Sequence, residues 1–324
     1  MTVTTEFTTA LSDHNAATAA DPTALFPGLN QLDYPPAWLH ARLVPAWLVL
    51  EGGAMRGQFT AGILDCLMDQ QLIPTTMVGV SAGALNGVNY TAGQRGRTAY
   101  LNIRYAHDRR YYSLLSWFLT GNVFSVRYSF REIPEKLVLF DFAAFQNSPI
   151  RMISVATDLS TGQADYHCYQ DLRAEMAYLQ ASASMPFFSR VVPIAGRKFL
   201  DGGIAESVPL RYALDSGAKK LIVILTQPAD YLKPPNPQLR LAQLVYYRYP
   251  QFVKALARRH LIYNAAYQQT RQMAADGQIF LFQPSGDHPV SHMEKDRGKL
   301  LALYQEGYTQ AASRLPELQR YLNL

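Results

Sequence analysis

A serine flanked by glycines is the residue in this sequence best placed for nucleophilic chemistry. It is Ser81, and the segment 79–83 around it reads GVSAG, which fits the G-x-S-x-G pattern of a nucleophile elbow. In that turn a strand passes sharply into a helix, and small neighbours are needed because a bulky Cβ would clash with the strained backbone. Three fixed positions recur by chance in roughly one chain in ten of this length. The motif therefore depends on its surroundings for support.

A glycine-rich turn upstream of Ser81 offers backbone N–H groups to an anion. Residues 51–57, EGGAMRG, follow an apolar strand and precede a helical pattern. Free N–H groups at the start of a helix, helped by the helix dipole, can bind a phosphate or the oxyanion of an ester intermediate. Nucleotide binding is disfavoured because Ala54 breaks the dinucleotide fingerprint and the Walker lysine is absent. A purely structural tight turn is a further alternative.

A carboxylate that could activate Ser81 stands at the end of another apolar strand. The segment 199–203 reads FLDGG and places Asp201 before a flexible glycine pair. Ligands collect at the carboxyl ends of parallel strands, so Asp201 can reach the same crevice as Ser81. Its alternative role is an Asx turn or a helix N-cap. Asp158 is a rival acid, although its Ser, Thr and Gly neighbours favour a capped turn.

The elements that must position these motifs alternate between short apolar strands and helical patterns. Such alternation predicts an α/β fold with a parallel sheet and crossover helices. The predicted strands are 46–50, 77–80, 151–156, 199–200, 221–225 and 279–282, and the predicted helices are 59–68, 84–90 and about 295–322. Residues 1–44, rich in Thr, Ala, Asp and Pro, are predicted to form a poorly ordered or surface-wrapping leader. Residues 45–324 are predicted to form one α/β domain.

Arginine and aromatic residues are concentrated in two segments, 95–131 and 239–273. Cations and amphipathic rings together favour the interface between water and lipid head groups, so these segments are candidate lid or membrane-facing helical insertions. Ordinary helices with aromatic core faces and solvated arginines are an equally good interpretation. Base stacking on the same rings is the weakest interpretation, because no nucleic-acid motif accompanies them.

The composition limits the class of protein. With 324 residues, 48% of them hydrophobic, the chain can bury a large core, which excludes disorder of the whole. A net charge of +5 is too small for a dedicated nucleic-acid binder, so no nucleic-acid partner is expected. Cys66 and Cys168 are too few for a disulfide framework or a zinc site, which favours a reducing compartment. No signal peptide or membrane-spanning run is visible, so a cytoplasmic protein with peripheral membrane contact is expected.

The three motifs together resemble the patatin-like phospholipase family. Its members carry a glycine-rich oxyanion turn, a G-x-S-x-G elbow and an Asp-Gly-Gly or Asp-Gly-Ala turn, in that order. Residues 46 to about 226 carry the resemblance, including 181–187, ASASMPF, which is similar to the family's small-residue helix that ends at a proline. The resemblance implies a three-layer α/β/α fold with a mostly parallel central sheet.

The resemblance also assigns roles to individual residues. Ser81 would be the nucleophile and Asp201 its general base, in a dyad that needs no histidine, metal or cofactor. The remaining site residues that it implies are Gly52, Gly53 and Ala54 as oxyanion donors, Arg56 and Gly57 completing that turn, Gly79 and Gly83 in the elbow, and Gly202 and Gly203 after the acid. Ala54 departs from the family, which usually has a third consecutive glycine there. If this position needs a positive φ, alanine strains the turn.

The activity implied by the resemblance is hydrolysis of lipid acyl esters, of the phospholipase A or lysophospholipase type, through an acyl-enzyme. Phospholipids or other acyl esters would be the substrates. One alternative is a soluble carboxylesterase or thioesterase with a Ser-Asp-His triad, since Ser81, Asp201 and then His288 or His292 follow the chain order of α/β-hydrolases. Another is a non-catalytic lipid-binding protein of the same fold, against which the intact Ser81 and Asp201 argue.

Overall fold

Eight strands form one mixed sheet in the computed structural model, which describes residues 43–111, Trp117 and 121–324. The strands are β1 Leu43–Leu50, β2 Ile73–Val80, β3 Arg151–Asp158, β4 Ala164–Cys168, β5 Val192–Ile194, β6 Arg197–Asp201, β7 Leu221–Ile224 and β8 Phe280–Phe282. Their order is β5-β6-β3-β2-β1-β7-β8, and β4 pairs with β3 outside this path. The five strands from β3 to β8 along this path are parallel, whereas β4, β5 and β6 pair antiparallel. The predicted mostly parallel sheet is confirmed.

Helices cover both faces of this sheet. They are α1 Gly57–Asp69, α2 Ala82–Thr91, α3 Arg97–Arg104, α4 Phe142–Gln146, α5 Met176–Ser182, α6 Leu210–Asp215, α7 Leu239–Val245, α8 Pro250–Ala275, α9 Arg297–Ser313 and α10 Leu315–Leu322. A π-helix spans Tyr128–Leu137, and 3-10 turns span Ala54–Arg56 and Gly202–Ile204.

Side chains of β1 show how the layers form. Leu48 and Leu50 pack on one face in a cluster with residues of α1, α2 and α9, whereas Val49 packs on the other face with Tyr263 and Tyr267 of α8. Successive strand residues point to opposite faces, so an apolar run is buried on both sides when helices cover both. The three-layer α/β/α architecture is therefore confirmed.

Several predicted boundaries differ from the structure. Leu43 and Val44 belong to β1, so the predicted leader ends too late by two residues, and residues 1–42 lie outside the described part. The predicted helix 295–322 is two helices, because Pro316 lacks the N–H that would continue α9 and lies in the first turn of α10.

The two aromatic-basic segments have different structures. Segment 239–273 contains α7 and most of α8, whose Phe252, Leu256 and Tyr263 are buried. Segment 95–131 contains α3 and the start of the π-helix, and its residues 112–116 and 118–120 lie outside the described part. A lid function for either segment stays a prediction. Among the described residues, no helix combines the length and apolar character needed to cross a membrane.

Candidate active site

Ser81 lies at a sharp, strained turn between β2 and α2. Its backbone has φ 53° and ψ −118°, a positive-φ conformation that is unusual for a residue with a side chain. A Cβ added at Gly83 would lie 2.5 Å from the Leu50 carbonyl oxygen, and one at Gly79 would lie 2.6 Å from the Gly83 carbonyl carbon. The Ser81 N–H donates to Ser182 Oγ at 3.0 Å, at the end of α5. The turn therefore has the geometry of a nucleophile elbow and has no room for a side chain at Gly79 or Gly83.

Asp201 ends β6 and faces Ser81. It is buried, with 5% of its surface exposed, and its Oδ1 accepts the Gly203 N–H at 2.7 Å. Burial raises the pKa of Asp201, while a hydrogen bond with the Ser81 side chain, the charge of Arg259 and the Gly203 N–H oppose that rise. The Ser81 side chain therefore lies close enough to favour the ionised Asp201 carboxyl, and both residues line the same cavity.

The rival acid, Asp158, lies elsewhere. Its Oδ1 accepts the N–H groups of Ser160 and Thr161, and its Oδ2 accepts from Arg197 at 2.8 Å. Burial opposes ionisation, but these hydrogen bonds together lower the pKa of Asp158. Asp158 therefore caps a turn and stabilises β6 through Arg197, and it lines neither cavity described below.

The glycine-rich turn presents two free donors. Within the described residues, the N–H groups of Gly53 and Ala54 make no hydrogen bond. The Gly52 N–H, predicted as a third donor, instead donates to the Ser207 carbonyl oxygen at 3.4 Å. The N–H groups of Arg56 and Gly57 donate to the carbonyl oxygens of Gly53 and Ala54 and close the turn.

Ala54 adopts a backbone conformation that is costly for alanine. Its φ is +49°, in the left-handed region that glycine enters freely. A Cβ at Gly53 would lie 2.6 Å from Thr226 Oγ1, so that position is closed to side chains for a different reason. After the acid, a Cβ at Gly202 would lie 2.2 Å from the Val155 carbonyl oxygen. Neighbouring atoms therefore pack closely against the backbone of both the glycine-rich turn and the turn after Asp201.

Glu51 supports the glycine-rich turn and was missed by sequence reasoning. It is 1% exposed and accepts hydrogen bonds from the Tyr263 hydroxyl at 2.6 Å, the Tyr267 hydroxyl at 2.5 Å and the Thr226 N–H at 2.5 Å. A charged residue directly after a buried strand was a signal, but its tyrosine partners come 212 and 216 residues later in the chain. Only the fold reveals that Glu51 fixes the turn.

Two cavities meet at Ser81. The apolar cavity, of about 160 Å³, is lined mainly by hydrophobic side chains, among them Leu85, Leu101, Phe130, Ile133 and Leu179. The cationic cavity, of about 430 Å³, is lined by Asp201 and by Arg56, Lys233, Arg259 and His292, among others. Ala54, Ser81 and Met185 line both cavities. A substrate held at Ser81 can thus extend into an apolar space on one side and a charged space on the other.

The basic residues of the cationic cavity influence one another. Burial, then the charges of Arg259 and Arg56, lower the pKa of Lys233 to about 7, although Glu51 acts in the opposite direction. Desolvation against the cavity wall, with the charges of Arg56, Lys233 and Arg259, lowers the pKa of His292 to about 3, even though part of this residue is exposed at the rim. His292 is therefore neutral at physiological pH.

Neither candidate triad histidine forms a hydrogen bond with Ser81 or Asp201 in the described part of the chain. His288 is exposed and lines neither cavity. His292 lies in the cationic cavity. Its ring is engaged by the Arg56 guanidinium, with Nη2 2.9 Å from His292 Nε2. Across the described residues, no hydrogen bond joins either histidine to Ser81 or Asp201. The same part of the chain holds no group of three His, Cys, Asp or Glu side chains arranged for a metal ion.

Comparisons with known proteins agree with this architecture. A model of the family described as Patatin-like phospholipase matches residues 48–214, slightly more than half of the chain, and that stretch includes Ser81 and Asp201. A domain of unknown function (DUF6363) matches residues 249–323.

Two individual proteins are also similar. The uncharacterized protein YjjU of Escherichia coli (strain K12) is 33% identical over 203 residues, which cover 58% of this chain and 54% of YjjU. The match therefore spans about half the length of that relative. The crystal structure of VipD from Legionella pneumophila aligns with 84% of this chain and 67% of that chain, at 12% identity and a TM-score of 0.43. On the family model and the strand-turn-helix geometry that it covers, this chain belongs to the patatin-like phospholipase family.

Proposed function

We propose that this protein is a serine-dependent lipid acyl hydrolase of the phospholipase A or lysophospholipase type that uses Ser81 and Asp201 as a catalytic dyad. The observation that carries the proposal is the placement of Ser81 beside the buried Asp201 carboxyl in one cavity, next to the free N–H groups of Gly53 and Ala54. Family membership supports lipid ester hydrolysis in general, and this placement supports the dyad.

The proposed reaction begins when Asp201 accepts the proton of the Ser81 hydroxyl as Oγ attacks the ester carbonyl carbon. The N–H groups of Gly53 and Ala54 donate to the oxyanion that develops, and such donors contribute roughly 3 kcal/mol each. Asp201 returns its proton to the departing alcohol, leaving Ser81 acylated. Water then attacks the acyl-enzyme, Asp201 accepts a proton from it, and the proton returns to Ser81 Oγ as the fatty acid leaves.

The apolar cavity suits the acyl chain. Leu101, Ile133 and Leu179 line the same cavity as Ser81. Burial of an alkyl chain against these side chains offsets the contacts that the chain loses when it leaves the lipid. The head group then lies on the side of the cationic cavity. This division of the substrate is typical of a site for amphipathic esters.

Peripheral contact with lipid, in a cytoplasmic protein, is part of the proposal. Leu244 is 75% exposed on α7, and Tyr247, just after it, is 66% exposed, with Arg240 and Arg248 also at the surface. Exposed apolar and aromatic side chains beside cations fit the boundary between head groups and acyl chains.

The test is fatty-acid release from mixed micelles of phospholipid and of lysophospholipid, without added metal. We expect release by the wild type and loss of at least about a hundredfold in Ser81→Ala and in Asp201→Asn. Asp158→Asn, which changes a buried carboxyl outside the site, is the matched control and should retain activity in proportion to its folded fraction. No release by the wild type from any acyl ester would contradict the proposal, as would an active Ser81→Ala variant.

A further inference from the structure

We propose that the cationic cavity beside Ser81 binds a net-negative phosphate head group, so that this protein prefers anionic acyl esters such as lysophosphatidate to zwitterionic or neutral ones. This inference rests on the proposed acyl hydrolase function and adds to it the class of substrate.

The positive groups of the cavity come from separate parts of the chain. Arg56 belongs to the glycine-rich turn, Lys233 follows β7 and Arg259 lies on α8, while the neutral His292 precedes α9. All four line one cavity with Ser81. Convergence of three basic side chains from separate segments beside Ser81 is a feature of the fold rather than of any local motif.

These cations have no carboxylate partner. Arg56 is 9% exposed and its Nε has no hydrogen-bond partner, while its terminal nitrogens face His292. Arg259 donates from Nε to the Gly203 carbonyl oxygen at 2.6 Å. Across the described part of the chain, no ion pair involves Arg56, Lys233 or Arg259. Arg56 is buried and Lys233 and Arg259 are half-buried, and cations withdrawn from water are normally paired, so a set without ion pairs lining a cavity indicates a place for an anion.

The acids that also line the cavity are already engaged. Glu51 accepts from Tyr263, Tyr267 and the Thr226 N–H, and Asp201 is held by Gly203 and Ser81. Neither forms a salt bridge to a cavity cation. Burial is the first cause of the low pKa values of Lys233 and His292, and the charges of the neighbouring cations are the second. A bound phosphate would reduce this repulsion between positive groups.

The position of the cavity selects a lipid head group as the anion. Because Ser81 lies where the apolar and cationic cavities meet, an ester carbonyl at Ser81 places the acyl chain on one side and the polar group on the other. A volume of about 430 Å³ is within the range of small-molecule sites. Arginine matches phosphate with paired N–H groups, and lysine adds a compact charge.

A choline head group fits the cavity less well. Quaternary ammonium groups bind over aromatic faces, and Tyr231 and Tyr263 line this cavity. The Lys233 ammonium already lies 4.2 Å from the Tyr263 ring centroid and 5.7 Å from that of Tyr231. A second cation would be repelled there, so the cavity discriminates by net charge.

The first experiment compares lysophosphatidate, lysophosphatidylcholine and monoacylglycerol with the same acyl chain, for the wild type, Lys233→Met and Lys233→Arg. We expect kcat/KM to be highest for lysophosphatidate, and Lys233→Met to reduce its advantage over lysophosphatidylcholine by about tenfold, equivalent to about 1.4 kcal/mol. Lys233→Arg keeps the charge and should keep the preference. Lys254→Met, an exposed lysine on α8 outside both cavities, is the matched control and should not change the ratio. Equal hydrolysis of all three esters by the wild type would overturn the inference while leaving the proposed function intact.

The second experiment measures binding without turnover, by calorimetry on Ser81→Ala. We expect sn-glycerol 3-phosphate to bind, glycerol not to bind, and Lys233→Met in this background to weaken the former by about tenfold. Binding of glycerol 3-phosphate by Ser81→Ala, together with no hydrolysis of any ester by the wild type, would contradict the proposed function and support the anion site. Inorganic phosphate binding as tightly as glycerol 3-phosphate, with no head-group preference in hydrolysis, would identify a free-phosphate site and overturn the inference.

Discussion

Ala54 combines an unfavourable backbone with a central position. Its N–H is one of two free donors in the glycine-rich turn, and its φ is +49°. Non-glycine residues in this region are costly, and they persist where the surrounding structure determines them. The Glu51 carboxylate, fixed by two tyrosines, and Thr226, which donates to the Gly52 carbonyl oxygen at 3.2 Å, hold the chain just before Ala54. The alanine is therefore tolerated because its neighbours hold the turn.

Replacing Ala54 by glycine tests this strain. We expect Ala54→Gly to raise the free energy of unfolding by up to about 1 kcal/mol, because glycine enters the left-handed region without a Cβ penalty. Denaturation by urea measures the change. Ala195→Gly is the matched control, since Ala195 has φ +48° in the turn between β5 and β6, away from both cavities, and should gain similarly without changing activity. A loss of stability in Ala54→Gly would show that the turn is not strained at this residue.

The pH dependence of activity depends on Asp201. A base must be deprotonated to accept the serine proton, and burial raises the pKa of Asp201 above its ordinary value. We therefore expect kcat/KM for a neutral soluble ester to rise with pH through a limb that lies above the ordinary aspartate pKa. Because the charge of Arg259 opposes the rise, Arg259→Gln should move this limb to higher pH, whereas Arg259→Lys should move it less. A limb unmoved by loss of the charge would contradict the assignment of Asp201 as the titrating base.

At the scale of elements, α1 and α9 meet through two glycines. A Cβ at Gly62 would lie 2.0 Å from the Tyr304 carbonyl oxygen, and one at Gly307 would lie 2.2 Å from that of Phe59. The backbones of the two helices are thus in contact, and Tyr304 reaches across to donate to Asp65 at 2.9 Å. Since α1 begins at Gly57, at the end of the glycine-rich turn, this packing also helps to position the free N–H groups of Gly53 and Ala54.

Gly307→Ala should separate these helices. We expect a loss of about 1–3 kcal/mol in the free energy of unfolding, because overpacking of a close contact forces the backbone to move. Thermal or urea denaturation measures it. Thr309→Ala, at an exposed position of the same helix, should be neutral or slightly stabilising because alanine has the higher helix propensity. If the two variants have equal stability, the close approach of α1 and α9 does not contribute to folding.

The sequence predicts the elements whose pattern is local. The buried strands β1, β2, β3 and β7 appear as apolar runs bounded by turns, the elbow follows β2 directly, and the acid turn follows β6. β5 has three residues and β4 five, and their place in the sheet comes from antiparallel pairing with β6 and β3, which no short pattern specifies.

The same limit applies to the site. Ser81 and Asp201 belong to short motifs and could be named from them. Glu51, Lys233 and Arg259 could not, because their partners and shared cavity arise only when distant segments pack together. Which N–H groups of the glycine-rich turn are free is also visible only in the fold, since the Ser207 carbonyl oxygen accepts the Gly52 N–H from a distant loop.

At the scale of the whole molecule, one surface combines apolar and basic side chains. Leu241, Leu244 and Val245 are exposed on α7, and Tyr247 and Arg248 follow directly. α7 leads into α8, which carries Arg259 of the cationic cavity. The proposed uptake of an ester from a lipid layer would need such a surface near the cavity that we propose for the head group.

Acidic substitutions on this surface should weaken lipid binding. We expect the double variant Leu241→Asp and Leu244→Asp to bind anionic vesicles at least about tenfold less tightly in sedimentation assays at low salt, because charge replaces buried apolar area. Leu43→Asp is the control, since Leu43 is exposed at the amino end of β1, whereas Ser81 follows the carboxyl end of the adjacent parallel strand. Equal wild-type affinity for anionic and neutral vesicles would argue against a role for the neighbouring cations.

The order of the sheet has a consequence for how this protein can diverge. β7 pairs with β1, and β8 pairs with β7. Both β7 and β8 follow residue 214, where the family match ends. An isolated 48–214 fragment would leave the central strand β1 with an open apolar edge, which is prone to aggregation. Ser81 and Asp201, the proposed nucleophile and base, come from the first stretch, whereas Lys233, Arg259 and His292 come from the second. Changes in the later stretch can therefore alter which molecules are accepted while the reacting groups are inherited unchanged.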